Sequence, residues 1–255
     1  MATQFHQFPY LSDNYGVLVR DTASGRTACV DAGAAGAVFD ALDATGWELD
    51  ELWITHWHHD HTDGLDAVRD ATGCSVTGPT FKGGLSFAFD RRLTDGDEFH
   101  LGETRVAAWH TPGHTHDMIN YYLPDDGVIF TGDTLFAMGC GRVFEGTHLD
   151  MYESMEKLRR LPPETRVYGG HEYTQANARF ALSVDPENEA LKARAQEVDA
   201  LRAAGKATLP TTMAAEFATN PFLRYGDKAL RAALGMTDAT DEAVFSELRS
   251  RKDSF

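Results

Sequence analysis

The chain has 255 residues, 42% of them hydrophobic and 24% charged, which suits one large globular domain or a large domain with a smaller companion. The formal net charge of −16 argues against a nucleic-acid partner, because phosphates would be repelled. Three cysteines without a C-x-x-C spacing argue against a disulfide framework.

The N-terminal segment lacks the basic start and apolar run of a signal peptide. No apolar stretch reaches the length of a membrane span. We therefore expect a cytoplasmic protein that contacts neither membranes nor nucleic acids and needs no obligatory protein partner.

Short apolar runs bounded by glycine, aspartate and proline dominate the first two-thirds of the chain and predict β-strands. These runs lie at 15–21, 27–33, 51–56, 104–110, 127–133 and 166–171. Helical patterns between them predict helices at 34–46, 63–73 and 150–161. We expect Asp150 to cap the last of these helices, and Pro162 and Pro163 to stop it.

The composition changes after about residue 172, and the strand pattern almost disappears. An amphipathic helix is predicted over 187–205, followed by shorter helices over 227–235 and 240–252. The residues alone therefore predict a mixed α/β domain over 1–172 and a small all-α domain over 173–255.

Residues 55–61, THWHHDH, follow an apolar run and contain four side chains of metal-ligand type. They are His56, His58, Asp60 and His61. A single histidine is more often a surface or core residue, but four ligands in H-x-H-x-D-H spacing reverse that expectation. Imidazole and carboxylate together suit zinc, iron or manganese. We interpret Trp57 and His59, which stand between them, as packing or outer-shell groups.

Three further side chains of the same kind follow or end apolar runs. His114 follows the run 104–110, Asp133 ends the run 127–133, and His171 ends the last run. Catalytic groups of open α/β sheets collect at the carboxyl ends of the strands. Five histidines and two aspartates are enough for two metal ions that share one ligand.

This ligand set resembles that of the metallo-β-lactamase superfamily, whose T-H-x-H-x-D-H motif stands at residues 55–61. The resemblance implies an αββα sandwich holding two divalent metal ions, with zinc as the first choice and iron or manganese as alternatives. It assigns His56, His58 and His114 to the first metal. It assigns Asp60, His61 and His171 to the second, with Asp133 as the bridge.

By the same resemblance, Asp60 and Asp133 are the catalytic carboxylates, because they would orient a bridging hydroxide. Two metals that share a water lower its pKa towards neutrality. Asp31 has two readings that the sequence leaves open: an outer partner of a histidine, or a turn residue at a strand end.

Four segments are similar to those of glyoxalase II, the hydroxyacylglutathione hydrolase family. They are residues 130–147, 169–174, 220–224 and 249–255. The resemblance covers essentially the whole chain. It implies hydrolysis of the thioester of S-D-lactoylglutathione to glutathione and D-lactate, which is the second step of methylglyoxal detoxification.

The family resemblance also implies a set of substrate-binding positions. They are Arg142, Phe144, Tyr173, Arg249 and Lys252. Arg142 stands where the family has a lysine, and Phe144 where it has a tyrosine, so one hydroxyl is absent and one cation has another hydrogen-bond geometry. From the residues alone, Arg249 and Lys252 would be ordinary cations of a helix C-terminus. Cys140 is interpreted as a structural thiol.

Two alternatives remain open at this point. A glutathione persulfide dioxygenase would use related motifs around a single iron, held by two histidines and a carboxylate. A non-enzymatic metal-binding protein would be indicated by a lost ligand, yet all seven ligand positions are filled.

Overall fold

The computed structural model describes residues 3–80 and 88–255, and its contacts divide the chain into two compact units. The first unit comprises Met1–His110 and Asp117–Gly132, and the second Thr111–His116 and Asp133–Phe255. The predicted boundary at residue 172 lies inside the second unit, because residues 137 and 139 bond to side chains beyond it.

One sheet of the first unit contains six strands in sequential order. They are β1 (Thr3–Tyr10), β2 (Asn14–Asp21), β3 (Thr27–Val30), β4 (Glu51–Trp53), β5 (Ser75–Pro79) and β6 (Arg91–Leu93). The first three are antiparallel neighbours, and β3 to β6 are parallel. Parallel strands need long crossover connections, and helices supply the first two of them.

Those helices are α1 (Ala35–Thr45) and α3 (Leu65–Thr72), with the short α2 (His59–Thr62) before α3. Both crossover helices end where the sequence predicts, at Gly46 and Gly73. Each of these glycines has the left-handed backbone conformation that is common at helix C-termini. Val38 and Val68 join Leu18 and Leu52 of the strands in one buried cluster, so the helices form a layer on this sheet.

The other strands of the first unit form an antiparallel meander. They are β7 (Glu98–Leu101), β8 (Thr104–His110), β9 (Ile119–Leu123) and β10 (Val128–Gly132). The rings of Trp53 and Tyr121 stack at 5.4 Å, and the Tyr121 hydroxyl donates to the Ile54 carbonyl at 2.8 Å. These contacts join the two sheets face to face and satisfy a buried hydroxyl.

The second unit is mainly helical. Its strands are β11 (Leu135–Phe136), β12 (Gly139–Cys140), β13 (Arg166–Gly169) and β14 (Thr211–Thr212). Its helices are α4 (His148–Leu158), α5 (Thr174–Val184), α6 (Glu189–Ala203), α7 (Met213–Thr219), α8 (Lys228–Leu234) and α9 (Asp241–Asp253). The rings of Phe180, Phe222 and Phe245 pack together in the interior of this unit.

The predicted start of α4 is wrong. Thr147, not Asp150, is the N-cap, and its hydroxyl accepts from the Asp150 amide. The Asp150 carboxylate in turn accepts from the Thr147 amide at 2.7 Å, which completes a capping box. The helix ends at Leu158, before Pro162 is reached.

Across residues 3–80 and 88–255, no helix has both the length and the apolar character that a membrane crossing requires.

Candidate metal centre

The candidate metal ligands form two groups, one in each unit. The first unit supplies His56, His58, Asp60 and His61. The second supplies His114, Asp133 and His171. Every predicted ligand is therefore a candidate in the structure, and each group has an internal geometry of its own.

In the first unit, the ligands lie on the loop after β4 and on α2. His56 and His61 are fully buried. Nε2 of His56 lies 3.1 Å from Nδ1 of His58, and Nε2 of His61 lies 3.4 Å from Oδ2 of Asp60. The motif thus presents two pairs of ligand atoms, one pair for each predicted metal.

In the second unit, one carboxylate oxygen lies between two imidazoles. Oδ2 of Asp133 is 3.4 Å from Nε2 of His114 and 3.3 Å from Nε2 of His171. All three side chains are buried. This is the arrangement expected of a carboxylate shared by two sites, each with its own histidine.

These separations fit a metal ion. A tetrahedral zinc with ligand bonds of about 2.0–2.1 Å places neighbouring ligand atoms about 3.3 Å apart. The four observed distances lie between 3.1 and 3.4 Å. The donor set of imidazoles and carboxylates suits the same class of ion.

Asp31 contacts the candidate ligand His61 directly and is linked to a second one, His56, through the Thr55 hydroxyl. Its Oδ2 lies 2.8 Å from Nδ1 of His61, and the Thr55 hydroxyl donates to it at 2.9 Å. Because that hydroxyl has one proton, it accepts at its 3.0 Å contact with Nδ1 of His56. Both histidines are thereby held with Nε2 available to a metal. Of the two readings that the sequence left open, the structure supports the outer-partner one.

Two further contacts orient candidate ligands. Nδ1 of His114 lies 2.8 Å from the carbonyl oxygen of Arg142, which can only accept, so this imidazole also offers Nε2. The Asn14 amide donates to Oδ2 of Asp60 at 2.9 Å. The roles of Asn14 and Thr55 were not predicted from the sequence. Asn14 lies 46 residues from its partner, and no local spacing links the two.

Close backbone approach depends on Gly33. A Cβ at Gly33 would lie 1.8 Å from the carbonyl oxygen of Asp60. The amide of Ala32 donates to the carbonyl of His61 at 2.9 Å, and the amide of Gly64 donates back to Ala32 at 2.8 Å. Backbone hydrogen bonds thus hold the segment that carries Asp31 against the ligand loop, and at Gly33 there is no space for a side chain between the two.

The two aromatic residues that are predicted to contact the substrate each lie against a candidate histidine ligand. The ring of Tyr173 is parallel to that of His171, with 4.6 Å between the centroids. Phe144 meets His114 edge to face at 5.3 Å and is 61% exposed. Both rings therefore stand beside candidate ligands and reach the surface.

The predicted cations differ in their surroundings. Arg142 is 54% exposed and pairs with Asp253 at 3.2 Å. Lys252 is half-buried, donates to the Ala176 carbonyl at 3.3 Å and lies over the Phe180 ring. Burial, followed by the charges of two nearby arginines, lowers the pKa of Lys252 to about 8.

Arg249 is buried, with only 3% exposure. Its Nη1 donates to the carbonyls of Cys140 at 3.0 Å and Gly141 at 3.3 Å, and its Nη2 donates to Asp253 at 3.0 Å. This guanidinium therefore holds the β11–β12 hairpin to α9, a structural role that the sequence did not predict.

The remaining polar candidates are structural. Burial raises the pKa of the Cys140 thiol, which keeps the unreactive protonated form at neutral pH. Trp57 packs edge to face on His58 at 4.8 Å. His59 forms an exposed pair with Asp63.

Known proteins are similar to this chain in sequence and in fold. The model of the metallo-beta-lactamase superfamily matches residues 13–171, and that of the hydroxyacylglutathione hydrolase C-terminus matches residues 172–255. A hydroxyacylglutathione hydrolase of Brucella anthropi is 53% identical over 252 residues, covering 99% of this chain and 97% of that protein. A hydroxyacylglutathione hydrolase of Brucella ovis is also 53% identical, with 99% and 98% covered.

Among solved structures, ETHE1 from Myxococcus xanthus aligns with a TM-score of 0.67 and 25% identity, covering 98% of this chain and 99% of that one. This likeness concerns the fold. The predicted metallo-β-lactamase fold with helices after it is confirmed by these matches together with the two family models.

Proposed function

The chain belongs to the hydroxyacylglutathione hydrolase (glyoxalase II) family of the metallo-β-lactamase superfamily, and from this premise we propose how it cleaves its substrate. It is a hydrolase that acts on a glutathione thioester. The proposed reaction converts S-D-lactoylglutathione to glutathione and D-lactate, with two divalent metal ions bound by the seven candidate ligands.

We assign three histidines to the first metal: His56, His58 and His114. We assign Asp60, His61 and His171 to the second metal, and Asp133 to both. The observation that carries this assignment is the position of Asp133, whose Oδ2 lies 3.4 and 3.3 Å from one histidine of each predicted site. Zinc is the proposed ion, with iron and manganese as the alternatives that the donor set admits.

Bound there, two divalent ions would lower the pKa of a shared water and polarise the thioester carbonyl. The protein's own part is orientation. Asp60 and Asp133 accept hydrogen bonds from the attacking water and direct it, while Asp31 keeps His61 in the required tautomer. The departing thiolate has an ordinary pKa of roughly 8.5, so it can leave without a strong general acid.

On the substrate side, we propose that residues 173–255 form the glutathione-binding domain. A chain of net charge −16 needs cations placed beside its site to hold the carboxylates of glutathione. Arg142 and Lys252 are the proposed direct contacts. Arg249 supports them from the interior, and Tyr173 and Phe144 line the approach beside the histidines. We also propose a cytoplasmic location, since three free buried cysteines suit a reducing compartment.

The test is hydrolysis of S-D-lactoylglutathione with elemental analysis of the same sample. The proposal expects close to two metal ions per chain and release of one thiol per D-lactate formed. A single iron, with oxygen consumed and no thioester cleaved, would instead support the persulfide dioxygenase alternative.

A further inference from the structure

We propose that Asp253 is a positioning residue that holds the Arg142 guanidinium ready for a glutathione carboxylate. The inference rests on the proposed function, in which Arg142 contacts the substrate. Asp253 is the last residue of α9, whereas Arg142 lies just after the β11–β12 hairpin, separated from it by Gly141 and 111 residues earlier in the chain than Asp253.

The contact uses one edge of the guanidinium. Nε of Arg142 donates to Oδ1 of Asp253 at 3.2 Å, and Nη2 donates to the main-chain carbonyl of Asp253 at 3.4 Å. A guanidinium carries five donors in a rigid plane, and the two donors of Nη1 take no part in this contact. The side chain is more than half exposed, which leaves those donors accessible to a dissolved anion.

Asp253 is itself fixed from the interior. The same Oδ1 accepts from Nη2 of buried Arg249 at 3.0 Å, and Arg249 is bonded to the carbonyls of Cys140 and Gly141. A rigid interior cation therefore orients the carboxylate, which in turn orients the exposed cation. Arg142 is also fixed at its backbone, where its carbonyl accepts from His114.

This arrangement explains what an arginine at position 142 can do and a lysine cannot. An arginine side chain that is held by no other group loses rotamer freedom when it binds a ligand. The contact with Asp253 fixes Arg142 beforehand, so this loss is not part of the binding step. The fork of Arg142 can keep Asp253 on one edge and take a carboxylate on the other. A single ammonium would have to divide its donors between two carboxylates.

The charges leave the site attractive to an anion. Asp253 offsets one positive charge, whereas Arg142, Arg249 and Lys252 supply three. The carboxylate therefore does not reverse the sign of the cluster. Its contribution is geometric, and it should appear in substrate binding and not in the chemical step.

The experiment compares the metal-loaded wild type with Asp253→Asn, Arg142→Ala and the double variant. KM and kcat for S-D-lactoylglutathione are measured at low salt, with metal content and thermal unfolding on each sample. Glu247→Gln is the matched control, because it removes a carboxylate that pairs with Arg251 on the same helix.

We expect Arg142→Ala to raise KM about tenfold, and Asp253→Asn to raise it roughly threefold to fivefold, with kcat and metal content unchanged. The double variant should match Arg142→Ala alone, since Asp253 acts through Arg142. Glu247→Gln should leave KM unchanged.

The contrary outcomes are distinct. A lower KM in Asp253→Asn would show that Asp253 competes with the substrate, which overturns the inference. If Asp253→Asn raises KM equally in the Arg142→Ala background, Asp253 acts through Arg249 or through the fold and not through Arg142. That result also overturns the inference. If Arg142→Ala raises KM and Asp253→Asn does not, the inference fails while the proposed substrate contact stands. An unchanged KM in Arg142→Ala would refute both.

Discussion

Nδ1 of His61 lies 2.8 Å from Oδ2 of Asp31, and both side chains are buried. An ionised carboxylate can only accept, so the imidazole must donate through Nδ1 and present Nε2 on its opposite side. Asp31 is therefore expected to govern how well the metal assigned to His61 is held.

We expect Asp31→Asn to weaken metal binding by about 10–100-fold, the range known for outer partners of histidine ligands. Asparagine also tolerates the left-handed backbone of this position, where φ is 60°, so the fold should survive. Competition with a chelator measures the affinity. The matched control is Asp63→Asn, which removes the partner of exposed His59. Equal metal affinity in both variants would contradict the role given to Asp31.

Asp133→Ala should be far more damaging than Cys140→Ala. The first change removes the carboxylate between His114 and His171, so metal content and hydrolysis should fall together, by more than the roughly 10–100-fold expected for an outer partner. The second removes a buried thiol, at a stability cost of about 1 kcal/mol. Elemental analysis, rates and thermal unfolding are compared. Similar catalytic losses in two folded variants would refute the bridging assignment.

The pH dependence of substrate binding should report Lys252. Its pKa of about 8 means that the ammonium is present below pH 8 and lost above it, so KM should rise as the pH passes through 8. The full rise should be about tenfold, since one charge-assisted hydrogen bond is lost. In Lys252→Arg the cation does not titrate, and the rise should vanish. A rise that persists in that variant would assign the titration to another group.

The capping box of α4 should contribute a pH-dependent share of stability. The hydroxyl and amide of Thr147 lower the pKa of Asp150 below its ordinary value of 3.8. A carboxyl whose pKa is lowered by folding stabilises the protein above its unfolded pKa, and that stability is lost as the pH falls through the folded pKa. The benefit of Asp150 should therefore be complete at neutral pH and fade below pH 3.8.

Thermal unfolding of Thr147→Ala and Thr240→Ala tests this prediction. Each variant loses an N-cap hydroxyl, at a cost of about 1 kcal/mol at neutral pH. Thr240 caps α9 onto the amide of Ala243, which has no carboxylate to return the bond. Only the Thr147 deficit should shrink in acid. A parallel decline in both variants would show that the carboxylate adds nothing to the cap.

The candidate metal ligands can be picked out from the sequence because their signal is local. Four of them lie within six residues after a buried strand, and His114, Asp133 and His171 each follow or end an apolar run. Strand ends bring such groups to one edge without any knowledge of distant packing. The N-cap of α4 is less evident from the sequence, because threonine and aspartate both serve as N-caps. Only the reciprocal bonds in the structure identify Thr147, and not Asp150, as the cap.

The partners that orient the site could not be predicted in this way. Asn14 and Asp60 are 46 residues apart, and Arg142 and Asp253 are 111 apart, so each pairing is created only by the fold. The burial of Arg249 could not be predicted from the sequence either, since a cation in the last turns of a helix usually remains exposed to water. Two-residue strands such as β11 and β12 are too short to show a period.

Because Gly33 has no side chain, two backbone segments can approach each other closely, and this limits the transfer of the seven-residue ligand motif to other proteins. The loop at 55–61 keeps its shape only while a second backbone segment, carrying Asp31, lies directly against Asp60. A graft of the seven residues alone onto another strand end would carry the imidazoles without the carboxylate that selects their tautomers. The smallest portable unit is therefore a pair of neighbouring parallel strand ends, with aspartate and glycine on one and the histidines on the other.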